Sequence, residues 1–197
     1  MFGRRKSRKS STAARGFSDG PLRRRPPEEI TYGIGRCALG RLLVATSDKG
    51  IVSIIVRDKA ADLLKELRPR FPKAILLRDE AQCRALVARV AGYIAVPTGR
   101  FDLPLDVRGT DFQQRVWSEV RRIPCGRTST YSKIAESIGA PKAVRAVGSS
   151  CTRCWIAFAI PCHRVLSAGG AGKDAQGGRR YRWVAYEAKL QAKNAKG

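Results

Sequence analysis

The sequence predicts an α+β fold, and three observations predict it. Between Ile30 and Val56 three short runs rich in Ile, Val, Leu and Thr are separated by glycine-containing turns, the signature of strands. The next segments repeat apolar residues at the spacing of amphipathic helices. From Thr110 onward the strand pattern gives way to helical periodicity.

The elements follow in order. Residues 1–29 hold many Arg, Lys, Ser and Pro and few large apolar side chains, and are expected to be a disordered basic arm. Ile30 to Cys37, Leu42 to Thr46 and Ile51 to Val56 read as strands, with Gly40 and Asp48-Lys49-Gly50 as turns. Ala60, Leu63, Leu64 and Leu67 lie at i, i+3, i+4 and i+7 of a helix expected to end at Pro72. A second helix carries Cys83, Val87, Val90 and Ile94 on one face, which places Cys83 in the core. Leu103 to Val107 reads as a short strand, and Pro104 assigns it to an edge.

Thr110 or Asp111 is suited to cap a helix that presents Phe112, Val116 and Val120, with Trp117 beside them. A helix near Tyr131 to Ile138 buries Ile134, Ala135 and Ile138; Gly139 ends it, and Pro141 suits the first turn of the next helix. That helix carries Val144, Ala146 and Val147. Two helices joined by a short glycine-containing turn match a helix-turn-helix, a pattern shared by DNA-binding units and plain packing units. The expected organisation is an arm (1–29), an α+β lobe (30–107), a helical domain (108–191) and a tail (192–197).

Composition narrows the partners. The chain has 197 residues, with 39 Lys and Arg against 16 Asp and Glu, a formal charge of +23. That surplus points to a polyanion, with nucleic acid the first candidate and an anionic membrane surface the competitor. No apolar run has the length of a membrane span. The basic start is not followed by an apolar segment, so no secretory signal is expected. The six cysteines are mostly far apart and do not form a dense disulfide framework, which indicates a reducing compartment; the expected location is cytoplasmic, nucleoid-associated in a bacterium or nuclear in a eukaryote.

The chemistry concentrates in Ile160-Pro161-Cys162-His163-Arg164-Val165, where a cysteine adjoins the only histidine. A thiol reacts as its thiolate, and a neighbouring imidazole is suited to take the proton. Adjacency by itself fits a second reading, a buried inert thiol beside a histidine that points elsewhere. Cys151 and Cys154 form a C-x-x-C, and zinc there would need Cys162 and His163 as further ligands. That use would remove the nucleophile, so no metal is expected; a Cys154–Cys162 redox link is a further alternative, and two buried inert thiols are the default reading.

The wider context favours the catalytic reading. Gly109-Thr110-Asp111-Phe112-Gln113-Gln114-Arg115-Val116-Trp117 is followed by Ile123-Pro124-Cys125-Gly126-Arg127-Thr128 and Tyr131-Ser132-Lys133-Ile134-Ala135. Then come Ile138-Gly139-Ala140-Pro141-Lys142-Ala143-Val144-Arg145-Ala146-Val147-Gly148 and the Pro-Cys-His-Arg-Val segment. This succession resembles the O6-alkylguanine-DNA alkyltransferase family, and most of all the C-terminal half of its Ada-type members. The strong motifs cover residues 109 to 165.

The resemblance implies a ribonuclease-H-like N-terminal lobe and a C-terminal helix-turn-helix domain. It implies double-stranded DNA containing O6-alkylguanine as the partner, a monomeric protein, and no cofactor. Cys162 is implied to accept the alkyl group irreversibly from O6 of guanine, or less readily O4 of thymine, with His163 drawing its proton. Arg145 is implied to replace the extruded base in the stack, and Tyr131 to displace its phosphate. Ala143 and Ala146 are implied to let the helix approach the minor groove. Tyr181 is implied to cover the guanine from a pocket-closing loop, and Arg164 to brace the site. Two rivals are a lesion-recognition protein that does not transfer, which the presence of Cys162 opposes, and a fragment of a transcriptional regulator.

The match departs from the family in four places, one of them Trp155, where the family often has proline or a small residue. Cys154 stands where the family has an asparagine that ties the recognition helix to the site, and a thiol is the weaker donor. The family's relay glutamate falls on Ala195, and Glu187, the one acid after Trp183, is out of register. The expectation is a relay without its carboxylate. The glycine-rich stretch from Ser167 to Arg180 is longer than in the Ada form and is expected to be a mobile loop.

Overall fold

The computed structural model describes residues 26–97, 101–167 and 179–194. Three strands open the fold: β1 (Glu29–Cys37), β2 (Gly40–Ser47) and β3 (Gly50–Arg57). They form an antiparallel meander, and a fourth strand, β4 (Ile75–Arg78), pairs in parallel with β1, giving the order β3-β2-β1-β4. β1 begins at Glu29, and the Glu28 carbonyl accepts from the Ile75 amide at 2.8 Å. The ordered fold therefore starts before the expected boundary at residue 30, while residues 1–25 of the expected arm lie outside the described residues.

The sheet is covered on both faces. Leu43, Ala45 and Ile55 pack with Leu63 and Leu67 of α1 (Ala60–Leu67). Leu42, Val44, Ile54 and Val56 belong to the core that includes Cys83, Val87, Val90 and Ile94 of α2 (Glu80–Ala95). A register shift between Ala45 and Thr46 puts Ile51 in this second core as well. Gly33 lets α2 come close to β1: a Cβ there would lie 2.4 Å from Cys83 Cβ. α1 stops at Leu67, short of Pro72, because Pro69 opens a 3-10 turn at Arg68–Arg70. β4 was not expected; its side chains are mostly exposed, so it shows no apolar alternation.

The expected strand at Leu103–Val107 is only a single bridge, Leu105 with Ile51. Pro104 has no amide to offer a ladder and supplies its carbonyl instead, 2.9 Å from the Ile51 amide. A second bridge joins Ile54 to Ile156, with Ile54 N to Trp155 O at 2.9 Å and Ala157 N to Ile54 O at 3.3 Å. These two bridges cover the β3 edge and attach the C-terminal half to the sheet.

α3 (Asp111–Val120) starts at a capping box: Thr110 Oγ1 accepts from the Gln113 amide, and Gln113 Oε1 accepts from the Thr110 amide. Trp117 Nε1 donates to Ser150 O at 3.0 Å, which ties α3 to α5 (Val144–Thr152). Thr130 caps α4 (Tyr131–Ser137). Gly139, at φ +70°, turns the chain, and a 3-10 turn at Pro141–Ala143 leads into α5. Two-residue strands β5 (Ser129–Thr130) and β6 (Val165–Leu166) pair in parallel.

The last element, α6 (Arg179–Asn194), was not foreseen. Of the expected loop, residues 168–178 lie outside the described residues, while Arg179 and Arg180 already belong to the helix. The helix also runs past the expected domain end at residue 191. Among its described side chains, Trp183 and Glu187, one turn apart, are the buried ones.

Candidate active site

Cys162 sits in a 3-10 turn, Cys162–Arg164, that runs directly into β6. Its amide donates to Ile160 O at 2.8 Å, and the Arg164 amide donates to Pro161 O at 2.9 Å. Because β6 pairs with β5, this turn is held next to the N-terminus of α4, where Tyr131 begins the helix. Beneath the turn lies Phe158, with φ of 64°, the only non-glycine residue of positive φ among those described. A buried aromatic residue in that region is strained and needs its surroundings to hold it. Its ring packs at 5.1 Å on His163 and 4.7 Å on Trp183.

His163, Arg164 and Glu187 form a buried ionic cluster, with exposures of 3%, 4% and 1%. Glu187 Oε1 lies 2.9 Å from His163 Nε2. Arg164 donates from Nε to Glu187 Oε2 and from Nη2 to Oε1, both at 2.8 Å, and from Nη1 to Ile123 O at 2.6 Å. Burial pushes the Glu187 carboxyl upward, but the bonds from His163 and Arg164 outweigh it and hold it down at about 2. An ionised carboxylate only accepts, so His163 Nε2 carries the proton of this bond.

The expectation that the relay lacks its carboxylate is therefore corrected. Counting along the chain assumed that distance in sequence fixes the register. α6 begins at Arg179, early enough to bring Glu187 back to His163. The missed signal was the helical spacing of Trp183 and Glu187.

The Cys162 thiol is buried and opens onto a cavity of about 60 Å³ shared with Cys151, Cys154, His163, Trp183 and Arg70. Hydrogen bonding with Cys151 and Cys154, together with burial, pushes this thiol well above its ordinary pKa. It rests protonated. A larger cavity, about 530 Å³, lies by Tyr93, Phe101, Arg121 and Arg164, and its walls include neither Cys162 nor His163. Among the described residues, no group of three or more His, Cys, Asp or Glu side chains has a metal-holding arrangement.

Cys154 and Trp155 are fixed by the sheet lobe. Trp155 O accepts from Ser53 Oγ at 3.1 Å and from Arg70 Nη1 at 3.3 Å, and its ring meets Phe71 edge-on at 5.4 Å. On α5, Arg145 and Ala146 are exposed, while Val147, Ser150 and Cys151 face the core. Ala143 and Tyr131 are half-buried. Tyr181 lies in the first turn of α6 and not in a loop, and its side chain is outside the described residues.

The profile of the DNA-binding domain of the 6-O-methylguanine DNA methyltransferases matches residues 111–189. The inducible methylated-DNA–protein-cysteine methyltransferase of Bacillus subtilis is 34% identical over 68% of this chain and 76% of its own length. The chain belongs to the methylated-DNA–protein-cysteine methyltransferase family. The bifunctional transcriptional activator/DNA repair enzyme Ada of Escherichia coli is 41% identical over 84% of this chain, which spans only 46% of that longer relative. Among solved structures of the family, Mycobacterium tuberculosis OGT in complex with DNA superposes with a TM-score of 0.65. It is 32% identical and covers 81% of this chain and 94% of its own.

Proposed function

We propose that this chain repairs double-stranded DNA by moving an alkyl group, chiefly methyl, from O6 of guanine onto Cys162. O4 of thymine is the lesser substrate. One observation carries the reading: a buried thiol stands beside a histidine whose far nitrogen is held by an ionised carboxylate.

The mechanism follows from that arrangement. His163 draws the thiol proton, directly or through a water, and Glu187 stabilises the imidazolium that forms. The Cys162 sulfur attacks the alkyl carbon in line. A sulfur–carbon bond forms, the carbon–O6 bond breaks, and its electron pair and a proton go to the guanine. The product thioether is a poor leaving group, so each chain reacts once. The transfer calls on no cofactor or metal.

The target base lies inside the duplex and has to be extruded. The α4–turn–α5 unit supports a helix-turn-helix role, with α5 entering the minor groove. Its exposed Arg145 fills the vacated stack, Ala143 and Ala146 permit close approach, and Tyr131 displaces the phosphate. Tyr181 covers the base, and Arg164 braces Glu187. The strand order β3-β2-β1-β4, with β4 parallel, supports a ribonuclease-H-like lobe over residues 29–107. The remaining division is an arm before it, the transfer domain after it and a short tail. The protein acts as a monomer in the compartment that holds DNA.

The test is incubation with duplex containing O6-methylguanine, followed by peptide mass spectrometry. The methyl group is expected on Cys162, and Cys162→Ala is expected to bind duplex without taking it. Methyl on Cys154 or Cys125 would overturn the assignment.

A further inference from the structure

The acceptor thiol has two sulfur neighbours that the transfer does not use. Cys151 lies in the last turn of α5, Cys154 follows the helix, and both line the cavity onto which Cys162 opens. Cys154 Sγ lies 3.9 Å from Ile160 O, and the Cys162 amide bonds that same oxygen at 2.8 Å. The two residues thus converge on one carbonyl. Cys151 is buried and held within a helix, whereas Cys154 is half-buried and lies beyond the helix end. Oxidants reach accessible thiols first, and a residue outside the helix can adjust to the narrow geometry of a disulfide.

We propose that Cys154 and Cys162 form a reversible disulfide, making the acceptor a redox-modification site whose oxidant is a hydroperoxide. The Cys154 sulfur attacks the peroxide oxygen; the O–O bond breaks, releasing water or an alcohol, and Cys154 becomes a sulfenic acid. The Cys162 sulfur then attacks the Cys154 sulfur, the S–O bond breaks, and water leaves with the Cys162 proton. Sulfur has lost two electrons and the peroxide has gained them. The disulfide withholds the nucleophile and shields Cys162 from irreversible oxidation; a dithiol reverses it. Its effect on repair rests on the reading of Cys162 as acceptor, but the linkage itself does not.

The full reduced chain is treated with hydrogen peroxide, alkylated to block remaining thiols, and mapped without reduction. A Cys154–Cys162 cross-linked peptide is expected, with loss of methyl transfer that dithiothreitol restores. In Cys154→Ser the cross-link is expected to vanish, and peroxide should drive Cys162 to sulfinic acid that dithiothreitol does not rescue. A Cys151–Cys162 link, or direct sulfinic acid at Cys162 in the unmodified sequence, overturns the proposal. Reduced chain that takes no methyl defeats the transferase reading and leaves the cross-link map to decide this one.

Discussion

Glu187 sets the charge state of the site, and its environment makes a pH prediction. Its carboxyl is held at about 2 against an ordinary 4.5, so the folded state favours the ionised form. That stabilisation is full above the ordinary carboxylate range and is lost as pH falls from about 4.5 towards 2. The shift corresponds to about 3 kcal/mol. Glu187→Gln leaves Arg164 buried without a counter-charge and is expected to cost about 3 kcal/mol at neutral pH. Its stability should also be flatter than the parent's between pH 5 and 2, measured by urea unfolding; parallel profiles would remove Glu187 from the linkage. Cys162 gives a second prediction. Thiol neighbours and burial hold its proton, so the transfer rate should keep rising through and above the usual thiol range, about 8.5. Cys154→Asn replaces one thiol with an amide and is expected to move that rise to lower pH. Superimposable pH–rate profiles would show that position 154 does not control ionisation.

At the scale of elements, α5 divides its labour by face. Val147, Ser150 and Cys151 fix the helix to the core, and Trp117 donates to Ser150 O from α3. Arg145 and Ala146 remain exposed on the other side. Arg145→Ala therefore removes nothing from the core. It is expected to slow repair in duplex by at least tenfold, about 1.4 kcal/mol, while leaving reaction with free alkylated guanine base nearly unchanged. Free base needs no extrusion, so equal losses on both substrates would place Arg145 in the pocket or the fold. α6 contributes through two residues on one face: Trp183 packs on Phe158, and Glu187 bonds His163.

For the whole molecule, the charge of +23 is expected to make the proposed DNA binding steeply salt-dependent. A protein contacting several phosphates loses orders of magnitude in affinity between roughly 50 and 200 mM salt. Removing residues 1–25, which are rich in Arg and Lys and precede the first strand, is expected to flatten the log affinity against log salt slope and leave transfer intact. An unchanged slope would show that this segment does not meet DNA. The two halves of the chain also act together: the β3 edge holds Trp155 and Ala157, so the sheet lobe positions the segment that leads to Cys162.

The sequence by itself determined the three meander strands, because their turn residues and apolar runs are local signals. It likewise narrowed the α3 cap to Thr110 or Asp111, determined the Gly139 turn and the core position of Cys83, and marked Cys162 and His163 through a motif short enough to survive without coordinates. Tertiary structure decided the rest. β4 is an exposed edge strand without alternation, and Pro104 reduces the expected strand at Leu103–Val107 to one bridge. Glu187 lies 24 positions from His163, and only the start and direction of α6 bring the two within 2.9 Å. The thiols of Cys151, Cys154 and Cys162 meet for the same reason: spacing along a chain states which groups exist, while packing states which of them touch.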